Sequence, residues 1–491
     1  MVNRPLLLLL ALLAAPPAAA HDALRTALDA LSHGWRDGIT PERRAALENL
    51  ARFDDARCVD GILDLFERDE VALFPSARRV LGAYAGKETL ARLADHGLKH
   101  RDPVAREQVL LALGEARPAG LDWRAAARAG LDDPDPRVRA AAVRVLGRAR
   151  DDVRLDRILA LALDPTERVR LEVPDALARL APGRSLGALR GLLADPRWRV
   201  RLAAARALTD MRDPEAVLPL VDRLPLEPGR LREDLLDMLS RLTGHDFELD
   251  IEAWKKFLAQ APPGFLKEGD QVALGQRTAS ANASSSLPYR SMGTRYHTIP
   301  SLSRRFLLIT DLSGSMDTML PPDPAQPAVP RTRLSVARAE LLRLVDTLTQ
   351  GDAFDLLPFE DEAKLWREKL QPAADNVRKS AHDEVATWSP GGGTNVYAAL
   401  QTAFDLAEKA LDTPQPSDTD FDTIFILTDG APSAGAVRDA DLLLQYAIER
   451  NQALQLRIHC VSLAGEADGE SFLKRLAEIG GGRYVELAPD G

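Results

Sequence analysis

The stretch Phe306-Leu307-Leu308-Ile309-Thr310-Asp311-Leu312-Ser313-Gly314-Ser315-Met316 decides how this chain is read. An apolar run ends abruptly in an acid and two hydroxyls. Such a run suits a strand buried on both faces of a parallel sheet. Asp311-x-Ser313-x-Ser315 then falls where the strand gives out into a loop. In open α/β sheets that carboxyl end of a strand is where ligands bind.

Working outward toward the C-terminus, strand and helix patterns alternate. Arg333–Thr349 reads as an amphipathic helix, and Asp352–Phe359 and Ala363–Glu368 as strands. Ala374–Trp388 and Thr394–Leu411 read as helices, the second after a Gly391-Gly392-Gly393 turn. Asp422–Gly430 is a second buried strand ending in an acid, followed by a helix over Arg438–Asn451. Leu454–Leu463 (strand), Glu470–Gly481 (helix) and Gly482–Leu487 (strand) complete the pattern. This alternation predicts a mostly parallel, doubly wound α/β sheet with helices on both faces.

Three separated segments then converge on one edge of that sheet: Asp311-x-Ser313-x-Ser315, Thr394 in Gly-Gly-Gly-Thr-Asn, and Asp429 in Leu-Thr-Asp-Gly. Together they offer two carboxylates and three hydroxyls. All are hard oxygen donors, the set that suits Mg²⁺ or Mn²⁺. The five positions resemble those of the von Willebrand factor A domain with its metal-ion-dependent adhesion site, and the resemblance covers Arg304–Gly491. It implies that Ser313 and Ser315 bind the metal directly and Thr394 directly or through water. It also implies that Asp311 and Asp429 act through water or by orienting the hydroxyls. An open metal position would accept an Asp or Glu carboxylate from a protein partner, which is binding chemistry rather than catalysis.

Two features depart from that family pattern. A Pro-rich insert, Asp317–Thr332, separates the metal motif from the first helix; it reads as a solvated loop, with Asp317 or Asp323 as candidate internal ligands or gates. An acidic cluster, Glu360-Asp361-Glu362, follows the second strand and is expected to be exposed.

Ahead of this domain the chain repeats itself. Arg106, Arg139, Arg170, Arg201 and Arg232 recur at intervals of 33, 31, 31 and 31 residues in similar surroundings. Asp102, Asp135, Asp164 and Asp195, each followed by Pro, are set to start helices. Gly82, Gly114 and Gly147 are placed to end them. Each unit carries an apolar stripe that only stacking can bury. The pattern resembles short HEAT repeats, including those of phycobilin-lyase-like proteins, and implies an all-α solenoid scaffold. The recurrent Arg reads as an intra-repeat partner of the Asp; an acidic-ligand ladder is the alternative. Leu242–Gln260, with Trp254 and Phe257, breaks the period and reads as an end cap, His245 and Asp246 included.

The expected organisation is therefore a signal peptide over 1–20, a HEAT solenoid with end cap over 21–262, a Ser/Gly-rich linker over 263–303 and the A domain over 304–491. The leader is read from basic Arg4, the apolar run Leu6–Ala15 and Ala18-Ala19-Ala20. The run is too short for a membrane span and Pro16-Pro17 breaks it. Part of the linker, Tyr296–Leu302, alternates enough to add an edge strand to the next domain. Cys58 and Cys460 read as buried free thiols. A net charge of −10 argues against nucleic-acid or anionic-membrane binding.

These features point to an exported bacterial protein, periplasmic, cell-surface or secreted, that is not an enzyme and serves metal-dependent protein binding, adhesion or assembly. An accessory subunit presenting a partner to a separate enzyme or protease is the runner-up. A lyase-like activity of the repeat part is a third reading, carried by the repeat resemblance alone. No Ser-His-Asp arrangement, His-Glu-x-x-His or phosphate-cradling Gly-Lys-Ser is present.

Overall fold

The computed structural model describes residues 17–33, 38–262, 264–266, 294–296, 299–322, 331–411, 419–463 and 467–487. Positions 1–16 of the expected leader and 267–293 of the expected linker lie outside them, as does Asp323. The chain forms two compact units, Met1–Val145 and Leu146–Gly491.

The first unit is a series of helix pairs. Asp102 accepts hydrogen bonds from the Val104 and Ala105 amides, capping the helix Pro103–Ala116. Its repeat arginine, Arg106, makes a two-pronged bond to Asp133, with Nε–Oδ2 at 3.1 Å and Nη2–Oδ1 at 2.9 Å. A third guanidinium proton reaches the carbonyl of His100 at 2.7 Å. The arginine thus ties its own helix start to the acid that precedes the next repeat, where the sequence had suggested an intra-repeat pair. The same reach recurs in the second unit, from Arg170 to Asp195 at 2.7 Å and from Arg201 to Glu227 at 2.6 Å. These guanidiniums are committed to stacking, so they form no ladder for an acidic ligand.

The periodic glycines do a different job from the one expected. Gly82 and Gly114 lie inside the helices Phe74–Ala83 and Pro103–Ala116, not beyond their ends. A methyl group on Gly82 would stand 2.6 Å from Ala116 Cβ, and one on Gly114 would stand 2.6 Å from Val145. Gly147, within the helix Pro136–Ala149, is as close to the backbone of Ala176, at 2.7 Å. Glycine is there so that successive repeat helices can cross closely. Left-handed residues after the helices are supplied instead by Arg117, Arg150 and Arg212. Gly147→Val should therefore lower stability by about 1–3 kcal/mol through overpacking, measured by denaturant unfolding. Gly187→Ala, inside the helix Pro182–Leu192 with open space around it, should instead raise stability by about 0.5–1 kcal/mol, which gives the contrasting control.

In the second unit, repeat helices continue through Glu167–Leu180, Trp198–Met211 and Arg230–Thr243 to Ile251–Gln260. The last of these packs on the helix Pro214–Arg223. Trp254 is fully buried, and His245 stacks on Phe247 and against Phe257, so it is an aromatic cap residue.

The strands are β1 (Thr294–Tyr296), β2 (Ile299–Ser301), β3 (Arg305–Asp311), β4 (Ala353–Phe359), β5 (Gln371–Pro372), β6 (Thr423–Thr428), β7 (Arg457–Leu463) and β8 (Gly481–Leu487). Six of them form one sheet in the order β5-β4-β3-β6-β7-β8. All neighbours are parallel except β5, which runs antiparallel to β4. The buried runs Phe306–Ile309 and Ile424–Leu427 are the central pair, as a strand covered on both faces demands. Two strand expectations fail. Ala363–Glu368 is irregular, because Asp355 and Leu356 draw the amides of Arg367 and Trp366 into loop contacts. Within 296–302, β2 pairs with β1 as a separate two-stranded ribbon and not with the sheet edge. Both cysteines are buried and free.

The repeat helices of this unit hold the amino-terminal edge of the sheet through a buried ionic seam. Arg199 is fully buried and bonds Asp420 at 2.7 Å, the Leu454 carbonyl at 2.7 Å and Phe421's carbonyl at 3.4 Å. Arg197 pairs with Glu167 at 2.5 Å. Arg230 reaches the carbonyls of Asp422 and Gln455 at 2.6 and 2.7 Å. In the other direction, Arg457 of β7 bonds Asp234 at 2.7 Å and pairs with Glu233 at 3.1 Å. Burial works against the charge on Asp420, but the Arg199 and Arg197 guanidiniums hold it below the usual carboxylate range.

Candidate metal centre

The chain leaves β3 toward β4 on one side and later returns as β6 on the other. The carboxyl ends of β3 and β6 therefore flank the point where strand order reverses, the usual ligand crevice of a doubly wound sheet. Asp311 ends β3, and Asp429 follows the last residue of β6.

Asp311 is fully buried. Its Oδ1 accepts the Ser313 amide at 2.7 Å, and its Oδ2 accepts the Thr428 hydroxyl at 2.5 Å. Burial pushes its carboxyl up to about 6 against the pull of these hydrogen bonds, and the nearby Asp429 charge adds to the rise. Ser313 and Ser315 bring their hydroxyls to 3.0 Å of each other. Ser315 in turn donates to Asp429 Oδ1 at 2.9 Å. Thus Ser313, Ser315 and Asp429 form one continuous line of oxygens, anchored at one end by Asp311.

Thr394 arrives on the glycine turn. Gly391 donates to the Leu312 carbonyl at 2.8 Å, and Gly314 donates to the Gly392 carbonyl at 3.1 Å, which stitches the two loops together. Gly392 has φ +62, and a side chain there would meet Asp361 at 2.8 Å. The acidic turn, exposed as expected, buttresses this loop: Asp361 accepts the Gly393 amide at 2.9 Å. The Thr394 hydroxyl is 3.9 Å from where a side chain on Gly430 would begin, which places it across from the Asp429 loop. Its amide is held by the Ser433 hydroxyl at 3.0 Å. All five predicted residues thus stand on three loops tied to one another at one sheet edge.

Three further residues were not anticipated. Thr428 holds Asp311, Ser433 holds Thr394, and Arg333 binds Asp429 Oδ2 at 2.7 Å. Thr428 was findable, since it precedes Asp429 on the same strand end. Ser433 and Arg333 carry no spacing signal. Asp317 is exposed, and no cluster of three or more His, Cys, Asp or Glu suited to a metal occurs among the described residues. The oxygen set fits a hard divalent cation by donor chemistry: neutral hydroxyls in line, with a carboxylate at each end.

Residues 333–486 match the model of the von Willebrand factor type A domain, and residues 96–173 and 155–240 match HEAT repeats. The inter-alpha-trypsin inhibitor heavy chain H4 of Bos taurus is 25% identical over 192 residues, covering 39% of this chain and 19% of that protein. The von Willebrand factor A domain-containing protein 3A of Homo sapiens is 26% identical over 184 residues, covering 37% of this chain and 13% of that protein. The chain spans about a fifth or less of the length of these relatives. The solved von Willebrand factor type A structure from Catenulispora acidiphila is 24% identical, with a TM-score of 0.30, covering 38% of this chain and 39% of that one. Both kinds of module are mostly non-enzymatic and serve protein interaction. No helix among the described residues is long and apolar enough to cross a membrane.

Proposed function

We infer that this HEAT-repeat and von Willebrand factor A protein captures a protein partner through a metal-dependent contact with an Asp or Glu of that partner. The observation that carries this reading is the line Ser313–Ser315–Asp429 at the strand-order reversal, with Asp311 fixed behind it. Ser313, Ser315 and Thr394 would hold Mg²⁺ (or Mn²⁺) through hydroxyls, with Asp311 and Asp429 orienting those hydroxyls or bound water. The cation would supply one electrophilic position for a carboxylate, because neutral ligands leave its charge poorly screened.

The protein's own residues fix the geometry. Buried Asp311 holds the Ser313 amide, Asp429 fixes the Ser315 hydroxyl, and the acidic turn and glycine loop keep Thr394 facing them. Export, to the periplasm, cell surface or medium, belongs to the same reading and rests on the leader pattern of residues 1–20. Affinity capture on the immobilised protein, followed by mass spectrometry of what is retained, tests it. EDTA should abolish retention, Mg²⁺ should restore it, and Asp311→Ala should behave like EDTA; retention that persists in EDTA overturns the reading.

The buried seam favours a second reading, that the protein presents its partner to a separate enzyme or protease. A domain mounted by Arg199, Arg230 and Arg457 holds a captured partner at a fixed position, which an accessory subunit needs and a tethered adhesin does not. Co-purification with a neighbouring enzyme is the result expected from that role.

A further inference from the structure

We propose that Arg333 is a built-in counter-cation of the metal centre, which weakens binding of the metal alone and couples its binding to arrival of a carboxylate. The inference rests on the metal-dependent reading above and assigns a role to the Pro-rich insert.

Asp429 has no exposed side-chain surface, and both its oxygens are taken: Oδ1 by the Ser315 hydroxyl and Oδ2 by Arg333 Nη1 at 2.7 Å. Arg333 is itself largely buried. Its position is set by the neck of the insert. Met319 and Thr332 form an antiparallel bridge, and Leu320 donates to the Arg331 carbonyl at 2.7 Å. The Arg333 amide donates to the Thr318 carbonyl at 3.0 Å, one residue beyond the turn Gly314–Asp317 that carries Ser315. Thr332 and Ser335 close a capping box around the same point, so the helix Arg333–Thr347 cannot start elsewhere. The neck of the insert thus leaves and re-enters beside the site and sets a cation, Arg333, against it.

The consequence is electrostatic. Asp311 and Asp429 give the centre two negative charges, and Arg333 cancels one. A divalent cation then meets a guanidinium at the shared carboxylate in a largely buried site, where like charges repel more strongly than in water. An incoming carboxylate restores the missing negative charge and is attracted by both cations. Metal and carboxylate therefore bind with positive coupling, and the coupling is reciprocal.

The test is calorimetric titration of the full chain with Mg²⁺ alone and again in fixed acetate. Arg333→Gln should bind Mg²⁺ alone on the order of tenfold more tightly than the natural protein and gain less from acetate. Arg333→Lys, which keeps the charge, should stay close to the natural protein and serves as the folded control. Unchanged or weaker Mg²⁺ affinity in Arg333→Gln, with the natural protein binding, overturns the counter-cation role and leaves the metal site standing. Absence of Mg²⁺ binding in all three overturns the metal reading itself, and this inference with it.

Discussion

Arg199→Ala should destabilise the Leu146–Gly491 unit by about 3–5 kcal/mol, the cost of breaking a buried ion pair from one side. The guanidinium is fully buried and makes the bonds to Asp420, Leu454 and Phe421 described above, with Glu167 also within 3.5 Å. Its removal leaves Asp420, two carbonyls and part of Glu167 without the donor that offset their loss of water. Arg197 still faces both acids, so the loss falls short of full exposure of either charge. Denaturant unfolding checks the size, and a double-mutant cycle with Asp420→Asn checks the cause. The cycle should return a coupling above about 1 kcal/mol, since the two side chains are in direct contact. A single-variant loss below that value would mean that the seam is solvated and does not mount the domain.

The seam also marks the limit of what the sequence could say. The buried strand Phe306–Ile309 and its acid were legible because strand burial and a strand-end acid are local properties. Thr394 and Asp429 were legible because each sits at a strand end or helix start that periodicity locates. The repeats were legible from the spacing of Arg106, Arg139, Arg170 and Arg201. Arg197 and Arg199 were not, although they flank the same pattern. Besides Glu167, their partners lie more than 200 residues away, at Ala410, Asp420 and Leu454, and nothing in local spacing distinguishes them from solvated repeat arginines. The glycines mislead for a related reason. Gly147 marks a helix crossing with Ala176, and a close approach between distant helices reads locally like a helix stop. Arg333 was hidden by the insert, since its role depends on where the chain re-enters after Thr332.

The proposed metal centre carries a second large effect, with a sign that depends on the cation. Without divalent metal at pH 7, Asp311→Asn should be more stable than the natural protein by on the order of 1–3 kcal/mol. Burial holds the Asp311 carboxyl up at about 6, so the folded chain binds its proton more tightly than the unfolded chain does. The penalty is absent below the ordinary carboxylate value, grows as pH rises through that value toward 6, and is complete above it. The Asn gain should therefore be present at pH 7 and vanish near pH 3.5. An Asn oxygen can still accept the Ser313 amide, and the Thr428 hydroxyl can turn to accept from the Asn amide, so both hydrogen bonds have a replacement. Added Mg²⁺ should reverse the order. The natural protein should gain about 2.7 kcal/mol when free metal exceeds its dissociation constant a hundredfold, and the Asn variant should gain little. Unfolding in EDTA and in excess Mg²⁺, at both pH values, separates the outcomes. A variant less stable than the natural protein in EDTA at pH 7 would show that the buried carboxylate is held for the fold. An equal Mg²⁺ response in both proteins would remove Asp311 from the metal set. Stability surrendered by the empty site and regained on loading is what a residue kept for binding should show.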